Sequence, residues 1–134
     1  MIVEKSETMP VRSGDDVVRV RREVRAHAVG AGFNLVDQTK IVTAASEIAR
    51  NTVDYGGGGT LLVETVRLGA RRGVRLIFSD QGPGIADLKL ALTDGYTTGS
   101  GLGLGLSGAK RLSNEFDIKS APGAGTVVTL VRWK

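Results

Sequence analysis

Nineteen of the 134 residues are glycine, about twice the usual share, and most of them gather in three places. Gly56 to Gly59 form an unbroken run. Gly82 and Gly84 flank a proline, and six more fall between Gly95 and Gly108. Glycine lets a backbone adopt positive φ and approach a ligand closely, at a cost in chain entropy. Clusters of it between well-patterned segments point to a backbone shaped around a ligand. The segments between are ordinary: 41% hydrophobic and 24% charged residues suit a folded core, and the length suits one domain over 1–134.

Composition excludes several chemistries. There is no cysteine, so disulfides, thiolate metal sites and thiol catalysis are out. A single histidine, His27, rules out two-histidine metal motifs and makes Ser-His catalysis a poor fit; a packing or surface role is expected of it. No apolar run approaches the roughly 20 residues of a membrane span, and residues 1–10 have no signal-peptide core. The expected location is the cytoplasm, away from membranes. A net charge of +4 with only 4% aromatic residues argues against nucleic-acid stacking. Arg19, Arg21, Arg22 and Arg25 read as a solvated helix face.

Periodicity places the elements. Residues 1–11 read as a strand. Val17, Val20, Val24 and Ala28 recur at spacings of three and four, predicting a helix over 14–32. Asn34 is a suitable N-cap for a second helix, with Asp37 in its first turn, running to Tyr55. Strands are expected over 61–68 and 74–79, with Gly69 to Gly73 as the hairpin turn. A short helix is expected over 87–92, a polar loop over 93–103 and a third main helix over 104–114. Strands over 116–120 and 126–133 close the chain around a Pro-Gly turn. The pattern predicts an α/β two-layer sandwich: a mixed or antiparallel sheet with helices on one face.

Three constellations carry chemistry. On the second helix, at about 100° per residue, Glu47, Asn51 and Asp54 share a stripe about 60° wide beside the apolar face. Carboxylate and amide oxygens suit Mg²⁺, and Glu47 could accept a proton from a hydroxyl nucleophile. The same stripe also suits a solvated helix face. Next, Asp80-Gln81-Gly82-Pro83-Gly84-Ile85 follows the strand of Val74, Leu76 and Phe78. Its carboxylate could accept from an exocyclic amine, or could simply lead a turn. The third is Gly99-Ser100-Gly101-Leu102-Gly103-Leu104-Gly105-Leu106, with Thr97 and Thr98 before it. Freed backbone N–H groups and a helix N-terminus can surround phosphate oxygens, and the hydroxyls can donate; a hinge loop is the plainer alternative.

Two local matches mislead. Residues 103–108 fit G-x-G-x-x-G, but a loop precedes them where a dinucleotide fold needs a strand, and no acid lies about 20 residues beyond. Asp80-Gln81-Gly82 mimics the Asp-Phe-Gly of protein kinases, yet no His-Arg-Asp loop exists.

Taken in order, Glu47-x-x-x-Asn51, Asp80-x-Gly82-x-Gly84 and Gly99-x-Gly101-Leu102-Gly103-Leu104 resemble the N, G1 and G2 boxes of the GHKL (Bergerat-fold) ATP-binding family. Gly123-x-Gly125-Thr126 resembles its last box. Residues 46–51, 80–85, 108–112 and 115–118 further resemble the serine kinases and switch proteins of bacterial stressosomes, relatives of the anti-sigma-factor kinases. The similarity covers essentially the whole chain.

The resemblance implies ATP and Mg²⁺ as cofactors. It would put Asp80 on the adenine amine with Thr126 near it, and Gly82, Gly84 and Ile85 among the nucleotide-binding residues. Asn51 would hold Mg²⁺, and Glu47 would act as general base toward a substrate serine. Gly101, Gly103 and Gly105, with Leu102 and Leu104 between them, would line the triphosphate. A lid over 93–100, bearing Thr97, Thr98 and Ser100, would cover it. Asp54 would have a supporting role only, and Lys110 or Arg111 would reach a phosphate or stay on the helix surface. The implied partners are an RsbS-type STAS-domain substrate, an RsbR-type stressosome scaffold and, after release, an RsbU-type phosphatase or other output protein. The alternative is a non-catalytic, nucleotide-gated module, such as an anti-sigma factor or adaptor. A detached histidine-kinase domain fits less well, since no phosphorylatable-histidine helix adjoins.

Overall fold

A computed structural model describes residues 1–85 and 106–134. The expected short helix over 87–92 and the loop over 93–103 fall outside these residues. Five strands and three helices follow in the order β1 (Ile2–Val11), α1 (Gly14–Gly30), α2 (Leu35–Asp54), β2 (Gly59–Leu68), β3 (Arg71–Asp80), α3 (Leu106–Arg111), β4 (Glu115–Ser120) and β5 (Thr126–Trp133). The strands form one sheet in the order β1-β2-β3-β5-β4, and every neighbouring pair is antiparallel.

Both long helices begin where the sequence has a capping side chain. Ser13 accepts from the Asp16 amide, and Asn34 accepts from the Asp37 amide at 2.8 Å, so each satisfies one of the donors that a helix start leaves open. Val17, Val20, Val24 and Ala28 of α1 are buried, as are Ile41, Ala44, Ala45 and Ile48 of α2. These stripes pack on each other and on the sheet face that carries Leu61, Val63, Val74, Leu76 and Phe78. The result is the expected two-layer arrangement with helices on one face.

His27 is fully inside this core. Its Nδ1 is 2.8 Å from the Thr65 hydroxyl and its Nε2 is 2.7 Å from a Glu7 carboxylate oxygen, so it ties α1 to both β1 and β2. Arg132 of β5 makes a comparable tie, donating to Asp37 of α2 and to the Leu112 carbonyl, each at 2.8 Å. The opposite sheet face holds a smaller apolar group, Val66, Val131 and Trp133, with the Arg71 guanidinium 5.1 Å from the centre of the indole.

Several boundaries differ from expectation: α1 ends at Gly30 and not at 32, β2 begins at Gly59 and not at 61, and the larger differences are at the hairpin and at α3. The hairpin turn is two residues, Gly69 and Ala70, since Leu68 already pairs with Arg71. Gly69 has φ +62°, which suits the first loop position of a type II′ turn. Gly73 therefore belongs to β3. A Cβ there would stand 2.7 Å from the Trp133 ring, so a missing side chain makes room for the indole. Among the described residues, α3 ends at Arg111, short of the expected Asn114, and its Lys110 and Arg111 are exposed. No helix among the described residues is long and apolar enough to cross a membrane.

Candidate functional site

The C-terminal half of α2, the end of β3, the start of β5 and the first residue of α3 line a cleft. Its floor is apolar: Ile48, Phe78, Ile85, Leu106 and Val128. Its polar lining comes from Asn51 and Tyr55 of α2, Asp80 of β3 and Thr126 of β5. An apolar lining with a few polar groups suits a small-molecule ligand such as a heterocyclic base.

Each polar group arrives there for a local reason. Thr52 and Ile48 point α2 inward, and Thr52 returns its own hydroxyl to the Ile48 carbonyl at 3.0 Å, so its burial leaves no open donor. One turn of helix then places Asn51 and Tyr55 along the cleft wall. Asp80 and Thr126 are register partners across β3 and β5, which puts their side chains on the same sheet face. The Gly82 amide donates to Asp80 Oδ1 at 2.9 Å. This holds the carboxylate still. Among the described residues, the other Asp80 oxygen has no donor.

The run Gly56 to Gly59 behaves differently from a loose edge. A Cβ on Gly56 would lie 2.4 Å from Asp80 Cγ, and one on Gly82 would lie 2.6 Å from Gly56 Cα. The end of α2 is therefore pressed against the loop after β3, and Gly56 is the contact that permits it. The sequence offered the glycines without showing what they approach.

The stripe of Glu47, Asn51 and Asp54 does not face one place. Asn51 lines the cleft. Asp54 is exposed and lines a separate groove between α1 and α2, with Arg21 and Arg50. Glu47 sits between the two, half-buried, one turn before Asn51, and it is not part of the cleft lining. Among the described residues its carboxylate makes no hydrogen bond or ion pair. The shared stripe was narrow enough in angle to straddle the boundary between cleft and groove.

Of the other expected site residues, Gly84 and Ile85 line the cleft, and Gly82 stands behind Asp80. Thr97, Thr98, Ser100, Gly101, Leu102, Gly103, Leu104 and Gly105 lie outside the described residues. Ser120, at the end of β4, was not anticipated. Its hydroxyl contacts the Ile85 amide at 2.7 Å, the Gly125 carbonyl at 2.9 Å and the Thr126 hydroxyl at 2.8 Å. A lone serine before a turn has no pattern to reveal such a role.

Comparison with known proteins agrees with this geometry. Residues 36–134 match the family described as Histidine kinase-, DNA gyrase B-, and HSP90-like ATPase. The chain is 43% identical over 118 residues to Serine/threonine-protein kinase RsbT of Bacillus subtilis (strain 168), covering 88% of this chain and 89% of that one. Among solved structures, the Mycobacterial sensor histidine kinase MprB superposes with a TM-score of 0.57 over 96% of this chain and 97% of its own. At 18% identity, that likeness concerns the fold alone. The cleft and these matches together make the chain a member of the histidine kinase-, DNA gyrase B- and HSP90-like ATPases and, within them, of the ATP-using serine/threonine-protein kinases related to RsbT.

Proposed function

We propose that residues 1–134 act as one ATP-dependent kinase domain that phosphorylates a serine of an RsbS-type STAS-domain protein. On release from an RsbR-type scaffold it would switch on an RsbU-type phosphatase or another output protein. The observation that carries the reading is the position of Glu47: a carboxylate with no hydrogen bond or ion pair among the described residues, one helical turn before Asn51, which lines the cleft together with Asp80 and Thr126.

In this reading the adenine amine meets Asp80, and the phosphates extend along α2 toward Asn51 and Glu47. The substrate hydroxyl gives its proton to Glu47 while its oxygen bonds to the γ-phosphorus. The bond from that phosphorus to the β–γ bridging oxygen breaks, and ADP leaves. Such transfer needs mainly alignment and charge neutralisation, which a domain this small can supply.

The donor set suits Mg²⁺ held largely by the nucleotide. The described residues contain no cluster of three or more acidic or histidine side chains able to cage a metal. Mg²⁺ commonly takes one or two protein oxygens, with phosphates and water filling the rest. Asn51 would be such a ligand, and the ion would neutralise charge on the transferred group.

The test mixes the purified chain with Mg-ATP and a STAS-domain protein encoded beside its gene, then reads intact masses. One phosphate should appear on a STAS serine. With Glu47→Ala the transfer rate should fall by about 10²- to 10⁴-fold, the range for losing a general base, while calorimetric ATP affinity changes little. Equal loss of binding and transfer would remove Glu47 as the base. Binding and complex formation without transfer would point to the nucleotide-gated binding module.

A further inference from the structure

Whether a hydroxyl at the edge of a cleft donates or accepts depends on its other neighbours. Thr126 faces the cleft beside Asp80, and it is also the register partner of Ser120 on the adjacent strand. A serine hydroxyl has one proton and two lone pairs. At Ser120 all three are assigned by its contacts. The Ile85 amide can only donate, so it takes one lone pair. The Gly125 carbonyl can only accept, so it takes the proton. The remaining contact, 2.8 Å to Thr126 Oγ1, then requires Thr126 to donate into the second lone pair. The opposite assignment would set the Gly125 carbonyl against a lone pair and lose one of the three bonds.

The consequence falls on the cleft. Thr126 has only one proton, and Ser120 holds it. Toward a ligand Thr126 is therefore an acceptor. The Asp80 oxygen not held by Gly82 is an acceptor as well. Two acceptors on one edge welcome an amine, which brings two N–H groups. They oppose a carbonyl, whose lone pairs would meet lone pairs, and an unpaired polar group in a partly buried site is penalised strongly.

We propose that Ser120 is a positioning residue that, by fixing the Thr126 proton, makes the cleft select purine nucleotides with a 6-amino group over those with a 6-oxo group. The proposal rests on the reading that the purine edge meets Asp80. It adds the residue that sets the polarity of that edge, two strands away from Asp80.

The test compares ADP with inosine diphosphate by titration calorimetry, since neither supports transfer. Ser120→Ala should lower the preference for ADP about tenfold, the scale of one hydrogen bond, because the freed Thr126 proton can now turn toward a carbonyl oxygen. Ser120→Thr, which keeps the hydroxyl, should restore the preference. If Ser120→Ala weakens both nucleotides by one common factor, Ser120 only braces the backbone of Ile85 and Gly125, and the proposal is wrong. Should Ser120→Ala fail to fold, Thr126→Val decides. It removes the acceptor and must also lower the preference; an unchanged ratio overturns the idea. Asp80→Asn separates the two levels. If it leaves ADP affinity and the ratio untouched, the purine reading and this proposal both fall. If it changes the ratio while Ser120→Ala does not, only the role of Ser120 falls.

Discussion

Gly56 shows how one missing side chain can set a binding surface. Its Cα lies so close to the Asp80 carboxyl that an alanine there would place Cβ 2.6 Å from an Asp80 carboxylate oxygen. Its own backbone does not demand glycine, since φ at this position is not in the left-handed region. Gly56→Ala should therefore act by displacing Asp80. We expect ATP affinity to drop tenfold or more, the loss of at least one charge-assisted hydrogen bond, with the far-ultraviolet circular dichroism unchanged. Titration calorimetry checks this; wild-type affinity would show that the loop accommodates the methyl group. Asp80 stood out in the sequence as an acid at the end of an apolar strand, before Gln81-Gly82-Pro83-Gly84, suited either to an amine or to a plain turn; the structure places it in the cleft lining. Gly56 and Ser120 were not legible. Their importance lies in which distant atoms they touch, and only the closed sheet determines that.

The helices were the most legible elements, because burial and period coincide in them. Val17, Val20, Val24 and Ala28 are all inside, and Asn34 caps α2 as its chemistry suggests. Replacing Asn34 with alanine removes the acceptor for the Asp37 amide. It should cost about 1 kcal/mol of stability, read as a lower urea midpoint at constant slope. An unchanged midpoint would mean that Arg132, which grips Asp37 from β5, holds the helix start unaided. The β2–β3 hairpin was less legible. Arg71 and Arg72 fall inside the expected turn over Gly69 to Gly73, yet they pair within the strand as exposed positions. Gly73 looked like a turn residue because it is glycine, yet the Trp133 ring occupies the space its side chain would need. The angular stripe on α2 divides between two surfaces for a different reason. Periodicity reports which way a residue points, but the second surface, formed by α1, is set by packing between helices.

Across the whole molecule, the layers are joined by a polar chain through the core: Glu7 on β1, His27 on α1 and Thr65 on β2. The hydrogen bond from His27, opposed in part by desolvation and aided by the imidazole's charge, holds the Glu7 carboxyl below its ordinary range. Its folded pKa is thus lower than its unfolded one. The stability this contributes is present above the unfolded glutamate pKa of 4.5 and is lost as pH falls through the lowered folded value. Melting temperature should accordingly decline on acidification through that window, and Glu7→Gln should flatten this part of the profile. An identical acid limb in the variant would show that other carboxylates dominate. The strand order has a consequence for how the chain is made. β5 enters the sheet between β3 and β4, so β3 is complete at Asp80 but waits for a neighbour that begins at Thr126. At about 5–20 residues per second, a ribosome needs a few seconds to supply it. Throughout that interval the nascent chain carries Val74, Leu76 and Phe78 on a strand with one open edge. Crowded polysomes would be where this chain is most exposed to pairing with the wrong copy, and where a chaperone would have most to shield.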